Sequence, residues 1–360
     1  MKELKLMKGN EAIAEAAIRA GADAYFGYPI TPQSEILEYL MAEKPWEQTG
    51  MVVLQAESEV AAINMVYAAA ACGKRTLTSS SSPGISLKME GISYIAGSEL
   101  PCVIVNVVRG GPGLGTIQPS QSDYFQATKG GGHGDYRMLV LAPASVQEMC
   151  DFVPLGFELA FKYRNPVMIL TDGVIGQMME KVELFEPQAR LTQEEIIKNT
   201  PWATTGRTPD RERNIITSLY LDPYVQEKHV CDLRDKYIRM EAEDVRFEEI
   251  ATEDAEYILV AFGSSARICQ KSIDMARAKG IKVGLLRPIT LFPFPSERIS
   301  ELADQVKGFL VVEMNLGQMV EDVRLAVNGK NKVEYFGRFG GVIPNPDEVL
   351  TALIQKIIGG

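Results

Sequence analysis

From residue 7 to about residue 172, short apolar runs alternate with stretches whose apolar residues recur every three to four positions. That is the order expected of βα units and a parallel sheet. The strand candidates are Asp23 to Tyr28, Met51 to Gln55, Thr76 to Ser80, Cys102 to Val108, Met138 to Leu141 and Val167 to Thr171. Helices are predicted at Glu11 to Ala20, Gln33 to Ala42, Glu57 to Ala71, Ile85 to Ala96 and Ser145 to Tyr163. Apolar strands bounded by helices imply a doubly wound α/β sheet covered on both faces. The texture changes between about Glu180 and Glu249, where charge is dense, strand patterns disappear and a helical stretch, Asp222 to Ala242, carries many ionic residues. Alternation resumes with strand candidates Tyr257 to Phe262, Lys282 to Leu286, Phe309 to Glu313 and Lys332 to Tyr335, and helical patterns run to Ile358. The chain therefore divides into a first α/β domain (residues 1–180), a connecting arm (181–249) and a second, smaller α/β domain (250–360). With 360 residues, it is longer than one hydrophobic core usually supports.

Composition removes several classes of function. With 46% hydrophobic and 23% charged residues the chain is neither disordered nor fibrous. A net charge of -10, with no run of Lys/Arg interleaved with aromatics, makes nucleic acid a poor partner. Charged residues interrupt every apolar stretch of the N-terminus, and no segment is apolar enough to span a bilayer, so the expected location is cytoplasmic, without a membrane partner. The five cysteines are scattered and form no C-x-x-C pair, so an iron–sulfur cluster, if the function needs one, belongs on another chain. With only His133 and His229, histidine catalysis and histidine metal sites have little material, and no metal site is expected in this chain.

Ligands of parallel α/β sheets bind beyond the carboxyl ends of strands, which directs attention to four loops. In Gly27-Tyr28-Pro29-Ile30-Thr31-Pro32, Thr31 reads either as a helix N-cap with proline at the first helical position or as a hydroxyl placed to meet an anionic substrate. Glu57 and Glu59 precede an apolar helix; macrodipole stabilisation explains both, but a carboxyl at the mouth of a buried helix would also be pushed toward its protonated form by desolvation. Such a group can hydrogen-bond a heterocyclic nitrogen. The hydroxyls from Thr78 to Ser82 can bind an anion or serve as turn and cap residues. The run Arg109-Gly110-Gly111-Pro112-Gly113-Leu114-Gly115 lacks dinucleotide-binding spacing, yet Arg109 at a strand end can grip a carboxylate with two hydrogen bonds, or can be an ordinary surface arginine. P-loop, zinc-protease and nucleophile-elbow motifs are all missing.

Together, YPITPQSE, QAESEVAAINMVYAAAACGKRTLTSSSSPG, VVRGGPG and KGGGHGDYRMLVLAPASVQE, in that order, resemble the α subunit of 2-oxoacid:ferredoxin oxidoreductases. Thinner similarity continues through RPITLFPFP and VVEMNLGQM. The resemblance implies a domain that grips the pyrimidine ring of thiamine diphosphate, followed by one like the C-terminal domain of transketolase. It assigns Glu59 to the pyrimidine N1′, with Glu57 the competing choice, puts Thr31 and Arg109 beside the substrate, and has Pro29 and Ile30 next to the cofactor. Diphosphate and Mg²⁺ are held in such enzymes by a G-D-G motif that this chain lacks, which implies a β subunit carrying it. Clusters would sit on β or on a ferredoxin-like chain, with a γ subunit, external ferredoxin and coenzyme A completing the system. The product would be an acyl-coenzyme A and CO₂. The segment Gly115 to Asp123 resembles the 2-oxoisovalerate type more than the 2-oxoglutarate type. Two competing readings are a subunit of a lipoamide-linked 2-oxoacid dehydrogenase and a non-catalytic nucleotide- or flavin-binding module.

Overall fold

The computed structural model describes residues 3–207 and 211–359. It opens on β1 (Glu3–Lys8), which pairs antiparallel with residues 179–184. Six strands then lie parallel: β2 (Ala24–Gly27), β3 (Val52–Gln55), β4 (Thr76–Ser80), β5 (Cys102–Val108), β6 (Leu139–Leu141) and β7 (Pro166–Asp172). The partner of β1 is β8 (Met179–Leu184). The second half supplies β9 (Phe247–Ile250), β10 (Tyr257–Val260), β11 (Val283–Pro288), β12 (Thr290–Phe292), β13 (Gly308–Glu313) and β14 (Lys332–Gly337).

Two larger sheets result, with strand orders β12-β6-β7-β5-β4-β2-β3 and β14-β13-β10-β11-β9. Their interiors are parallel, as the near-continuous apolar strands require, but each has an antiparallel edge: β12 on β6 and β9 on β11. The expectation that strands vanish between 180 and 249 is corrected at both ends, by β8 and β9. Their alternation is hidden among charged residues because each has only one face to bury. Long Asp222 to Ala242 helicity is present as the helix Pro223–Glu243.

Side-chain alternation along β5 shows why the sheet is double-faced. Val103, Val105 and Val107 join a core with the helices Gly9–Arg19 and Val146–Tyr163, whereas Cys102, Ile104 and Val108 point into a second core. That second core also holds Ile258, Val260, Leu286, Phe309 and Val311, so the two sheets share one apolar interior. A third core, on the far face of the smaller sheet, contains Leu259, Leu285 and Leu310 beneath the helix Gly263–Arg277. Among the described residues no helix is long and apolar enough to cross a membrane.

Candidate functional site

The carboxyl ends of β2, β4 and β5 converge on the helices Glu59–Ala71 and Ser82–Gly97. The first of these begins at Glu59 rather than Glu57, because the Ser58 hydroxyl accepts from the Ala61 amide and makes Ser58 the N-cap. This separates the two glutamates: Glu57 is exposed, while Glu59 retains 6% of its surface. Its carboxylate lies against Gly84, where a Cβ would come within 2.7 Å of Glu59 Oε1 and 2.1 Å of Ser80 Oγ. Glycine at residue 84 thus leaves room for the acid group. The helix behind Glu59 is not buried all round, as its composition had suggested: Val60, Asn64 and Ala68 form an exposed stripe, because the second layer covers only the opposite side.

Beneath the carboxylate lies a buried polar layer that the sequence reading did not single out. Lys88 is fully buried and its ammonium donates to Thr78 Oγ1 and, at 3.2 Å, to the Ser79 carbonyl. Thr78 donates in turn to the Phe26 carbonyl at 2.6 Å, and Ser79 donates to Gln33 Oε1 at 2.5 Å while its oxygen lies 2.6 Å from the Tyr25 hydroxyl. Burial pulls Lys88 down to about 7, with the nearby charge of Glu59 opposing the shift, and burial raises Tyr25 above its ordinary range. A signal for Lys88 existed in the sequence: on a helix it shares a face with Ile85 and Ile92, three before and four after, where a lysine is out of place. The hydroxyls of Ser80 and Ser81 are buried without any partner among the described residues, so the turn-and-cap reading does not account for them.

Thr31 and Arg109 are brought together, since an Arg109 Nη1 hydrogen bond of 3.0 Å reaches the Thr31 carbonyl. Nη2 donates to the Leu114 carbonyl at 3.1 Å, and Nε, although buried, has no partner among the described residues. With 8% of its surface exposed, Arg109 is not an ordinary surface arginine. Thr31 itself is exposed, and Pro29 and Ile30 are half-buried beside it. The N-cap reading of Thr31 is corrected: the helix is Ser34–Glu43 with Gln33 at the cap, and the Thr31–Pro32 peptide is cis. The physical reason is that Pro32 is anchored elsewhere, its carbonyl accepting from Asn10 Nδ2 at 2.7 Å and Gln177 Nε2 at 3.1 Å. A cavity of about 820 Å³ opens next to these residues, lined by Ser82, Pro83, Gly110, Leu114, Leu316 and Phe339 from both halves of the chain. On its floor Asn106 donates to Asp123 at 2.9 Å and accepts from the Ser82 amide at 3.1 Å. Burial raises the Asp123 carboxyl, with the Asn106 and Ser82 hydrogen bonds opposing. His133 is exposed in its loop and stacks edge-on to Tyr94, away from this group.

The arrangement suits a ligand with a flat nitrogen heterocycle and an anionic reactant. One acid at a helix mouth, two unpartnered hydroxyls and a guanidinium edge with a free N–H are donors and acceptors lacking mates. Among the described residues no group of three or more His, Cys, Asp and Glu could hold a metal ion.

Comparison with known proteins gives a consistent result. The family model of the pyruvate flavodoxin/ferredoxin oxidoreductase thiamine diphosphate-binding domain matches residues 15–246, and that of pyruvate:ferredoxin oxidoreductase core domain II matches residues 255–349. The ketoisovalerate oxidoreductase subunit VorB of Methanothermobacter thermautotrophicus is 52% identical over 355 residues, covering 99% of this chain and 98% of that protein. The 2-oxoglutarate synthase subunit KorA of Methanothermobacter marburgensis is 37% identical over the whole of both chains. Among solved structures, the 2-oxoglutarate:ferredoxin oxidoreductase from Magnetococcus marinus, with 2-oxoglutarate, coenzyme A and succinyl-CoA bound, superposes with a TM-score of 0.85 at 26% identity. The match spans 99% of this chain and 66% of that one. A split-gene transketolase, at 14% identity and a TM-score of 0.61, shares the fold.

Proposed function

Because the chain belongs to the pyruvate flavodoxin/ferredoxin oxidoreductase family and is a subunit-type member of it, we propose that it supplies the ring-binding half of a shared thiamine diphosphate site. The complex oxidatively decarboxylates a branched 2-oxoacid, 2-oxoisovalerate, to its acyl-coenzyme A and passes the electrons to ferredoxin. The observation that carries this reading is the buried Glu59 carboxylate at a helix mouth, facing the same space at Gly84 as the Ser80 hydroxyl, which has no partner among the described residues. The substrate assignment is supported by 52% identity to a ketoisovalerate oxidoreductase subunit against 37% to a 2-oxoglutarate synthase subunit.

Glu59 is the residue for the pyrimidine nitrogen, since a carboxyl shielded from water can share a proton with a ring nitrogen at little cost. When bound, the cofactor supplies the nucleophilic carbon that attacks the 2-oxo group. Arg109 holds the substrate's carboxylate through its free Nε edge, while its Nη hydrogen bonds to Thr31 and Leu114 fix the plane of the guanidinium. Thr31, exposed at the rim, offers its hydroxyl to the same reactant, and Pro29 and Ile30 give the ring an apolar flank. A β subunit provides the diphosphate and Mg²⁺ contacts, and clusters reside there or on a ferredoxin-like subunit, with a γ subunit completing a cytoplasmic assembly.

The test is viologen reduction by the complex co-purified with its partners, across a panel of 2-oxoacids, with and without thiamine diphosphate and coenzyme A. Thiamine-dependent reduction without lipoamide, fastest with 2-oxoisovalerate, is expected. Thiamine-independent activity, or tight flavin binding in its place, contradicts the reading.

A further inference from the structure

At Arg109 the chain leaves β5, runs through a glycine-rich loop and returns at Gln121, and the return is held by the second half of the chain. Within the loop the Gly110 amide donates to the Gln118 carbonyl at 2.9 Å and the Thr116 amide to the Gly110 carbonyl at 2.8 Å, while Arg109 and Pro119 form an antiparallel bridge. The same loop carries Leu114, whose carbonyl accepts from Arg109 Nη2. The guanidinium is therefore fixed by the loop that follows it, and its position depends on where that loop is tied down.

The tie is Gln121, which retains 2% of its surface. Its hydrogen bonds among the described residues all cross to the second half. Its N–H donates to the Met314 carbonyl at 2.9 Å, and its carbonyl accepts from Asn315 Nδ2 at 2.9 Å. Nε2 donates to the Phe262 carbonyl at 2.8 Å, and Oε1 accepts from Ser265 Oγ at 2.8 Å and from the Met314 N–H at 3.0 Å. Ser120 Oγ adds a bond of 3.1 Å to the Met314 carbonyl. The receiving turn is itself held, because the buried Glu313 carboxylate at the end of β13 accepts from Asn315 Nδ2 at 2.9 Å and from the Met319 and Val320 amides at 2.8 and 3.0 Å. Close approach recurs at Gly341, where a Cβ would come within 2.5 Å of Gln118 Cβ.

We propose that Gln121 is a positioning residue for substrate binding, through which the second half of the chain sets the loop that orients the Arg109 guanidinium. The consequence for KM rests on the proposed role of Arg109; the anchoring itself does not. Removing the Gln121 amide strips the Met314 N–H and the Ser265 hydroxyl of this acceptor, and buried donors without partners are costly enough to make the loop shift and admit water. A guanidinium that has lost its orientation holds the carboxylate less well in the ground state and the transition state alike, so KM rises while kcat stays.

The test uses the co-purified complex, with viologen reduction at saturating cofactor and a series of 2-oxoisovalerate concentrations. Gln121→Met, which keeps the length and removes the hydrogen bonds, should raise KM on the order of tenfold with kcat held within about twofold. Ser265→Ala, which removes a single bond to Gln121, should raise KM about threefold. Glu148→Gln, which weakens the Glu148–Arg287 ion pair elsewhere between the halves, should leave KM unchanged. A merely structural role predicts instead a smaller active fraction, hence lower kcat at constant KM, in all three variants. Hydrogen exchange read by mass spectrometry follows the anchoring apart from turnover: the Gly110 and Thr116 amides should exchange on the order of tenfold faster in Gln121→Met and not in Glu148→Gln. Unchanged KM in Gln121→Met, or in Ser265→Ala should the former not fold, overturns the proposal. If Arg109→Lys also leaves KM unchanged, the proposed function loses its carboxylate grip, and exchange at wild-type rates then overturns the anchoring as well.

Discussion

Gly84 shows how one missing methyl positions an acid. Alanine in the first turn of a helix normally gains up to about 1 kcal/mol over glycine. Here its Cβ would come within 2.1 Å of the buried Ser80 Oγ and displace the Glu59 carboxylate, so Gly84→Ala should lower the melting temperature of the chain, and thiamine diphosphate affinity in the complex should fall at least about tenfold. Calorimetric titration beside thermal unfolding checks both halves. Arg109→Lys should raise KM for the 2-oxoacid by about tenfold or more, since an ammonium cannot hold two carbonyls and still present a flat pair of donors; steady-state kinetics with a fixed cofactor concentration read it. Lys88 also has a stability signature. Its folded value of about 7 lies below the ordinary 10.5, so between those limits the unfolded chain binds more protons and this group's contribution to stability rises with pH. Relative to wild type, Lys88→Met should be most stabilising at or below about pH 7 and lose that advantage toward about pH 10, as denaturant titrations at several pH values will show. At this scale the sequence was partly legible. Glu59, Thr31 and Arg109 stood out because strand-end loops are where ligands bind, whereas Lys88 went unread because it lies in a helix and its role depends on a neighbouring element.

At the scale of elements, strands buried on both faces were legible and those buried on one face were not. β4 and β5 occupy the predicted spans Thr76 to Ser80 and Cys102 to Val108, because every residue in them is buried and the apolar or hydroxyl run is continuous. β1 escaped notice since Leu4 and Leu6 face outward and only Met7 is fully buried, an alternation the lysines obscure. β12 is three residues long and exists by pairing with β6, a contact no local pattern encodes. The edge strand β3 leaves Val52 and Leu54 exposed, and Val60 in the following helix is exposed too.

For the molecule as a whole, the two halves are joined more tightly than a linker between independent domains would allow. Ile258, Val260, Leu286, Phe309, Val311 and Met319 lie in the same core as Ile104, Val140 and Met168 of the larger sheet. Six such side chains bury apolar surface worth on the order of 10 kcal/mol, comparable to the net stability of an ordinary domain. A chain cut after residue 250 should therefore aggregate or bind hydrophobic dyes instead of folding, as circular dichroism and dye fluorescence would show. The same union lets Leu316 and Phe339 close the cavity beside Arg109, so the second half completes the wall of the site. The most direct test of the central claim is the rate of viologen reduction with 2-oxoisovalerate by a complex carrying Glu59→Gln. An amide cannot share a carboxyl proton, so a loss of about a hundredfold or more in kcat is expected, with the complex intact. A rate equal to that of wild type would contradict it.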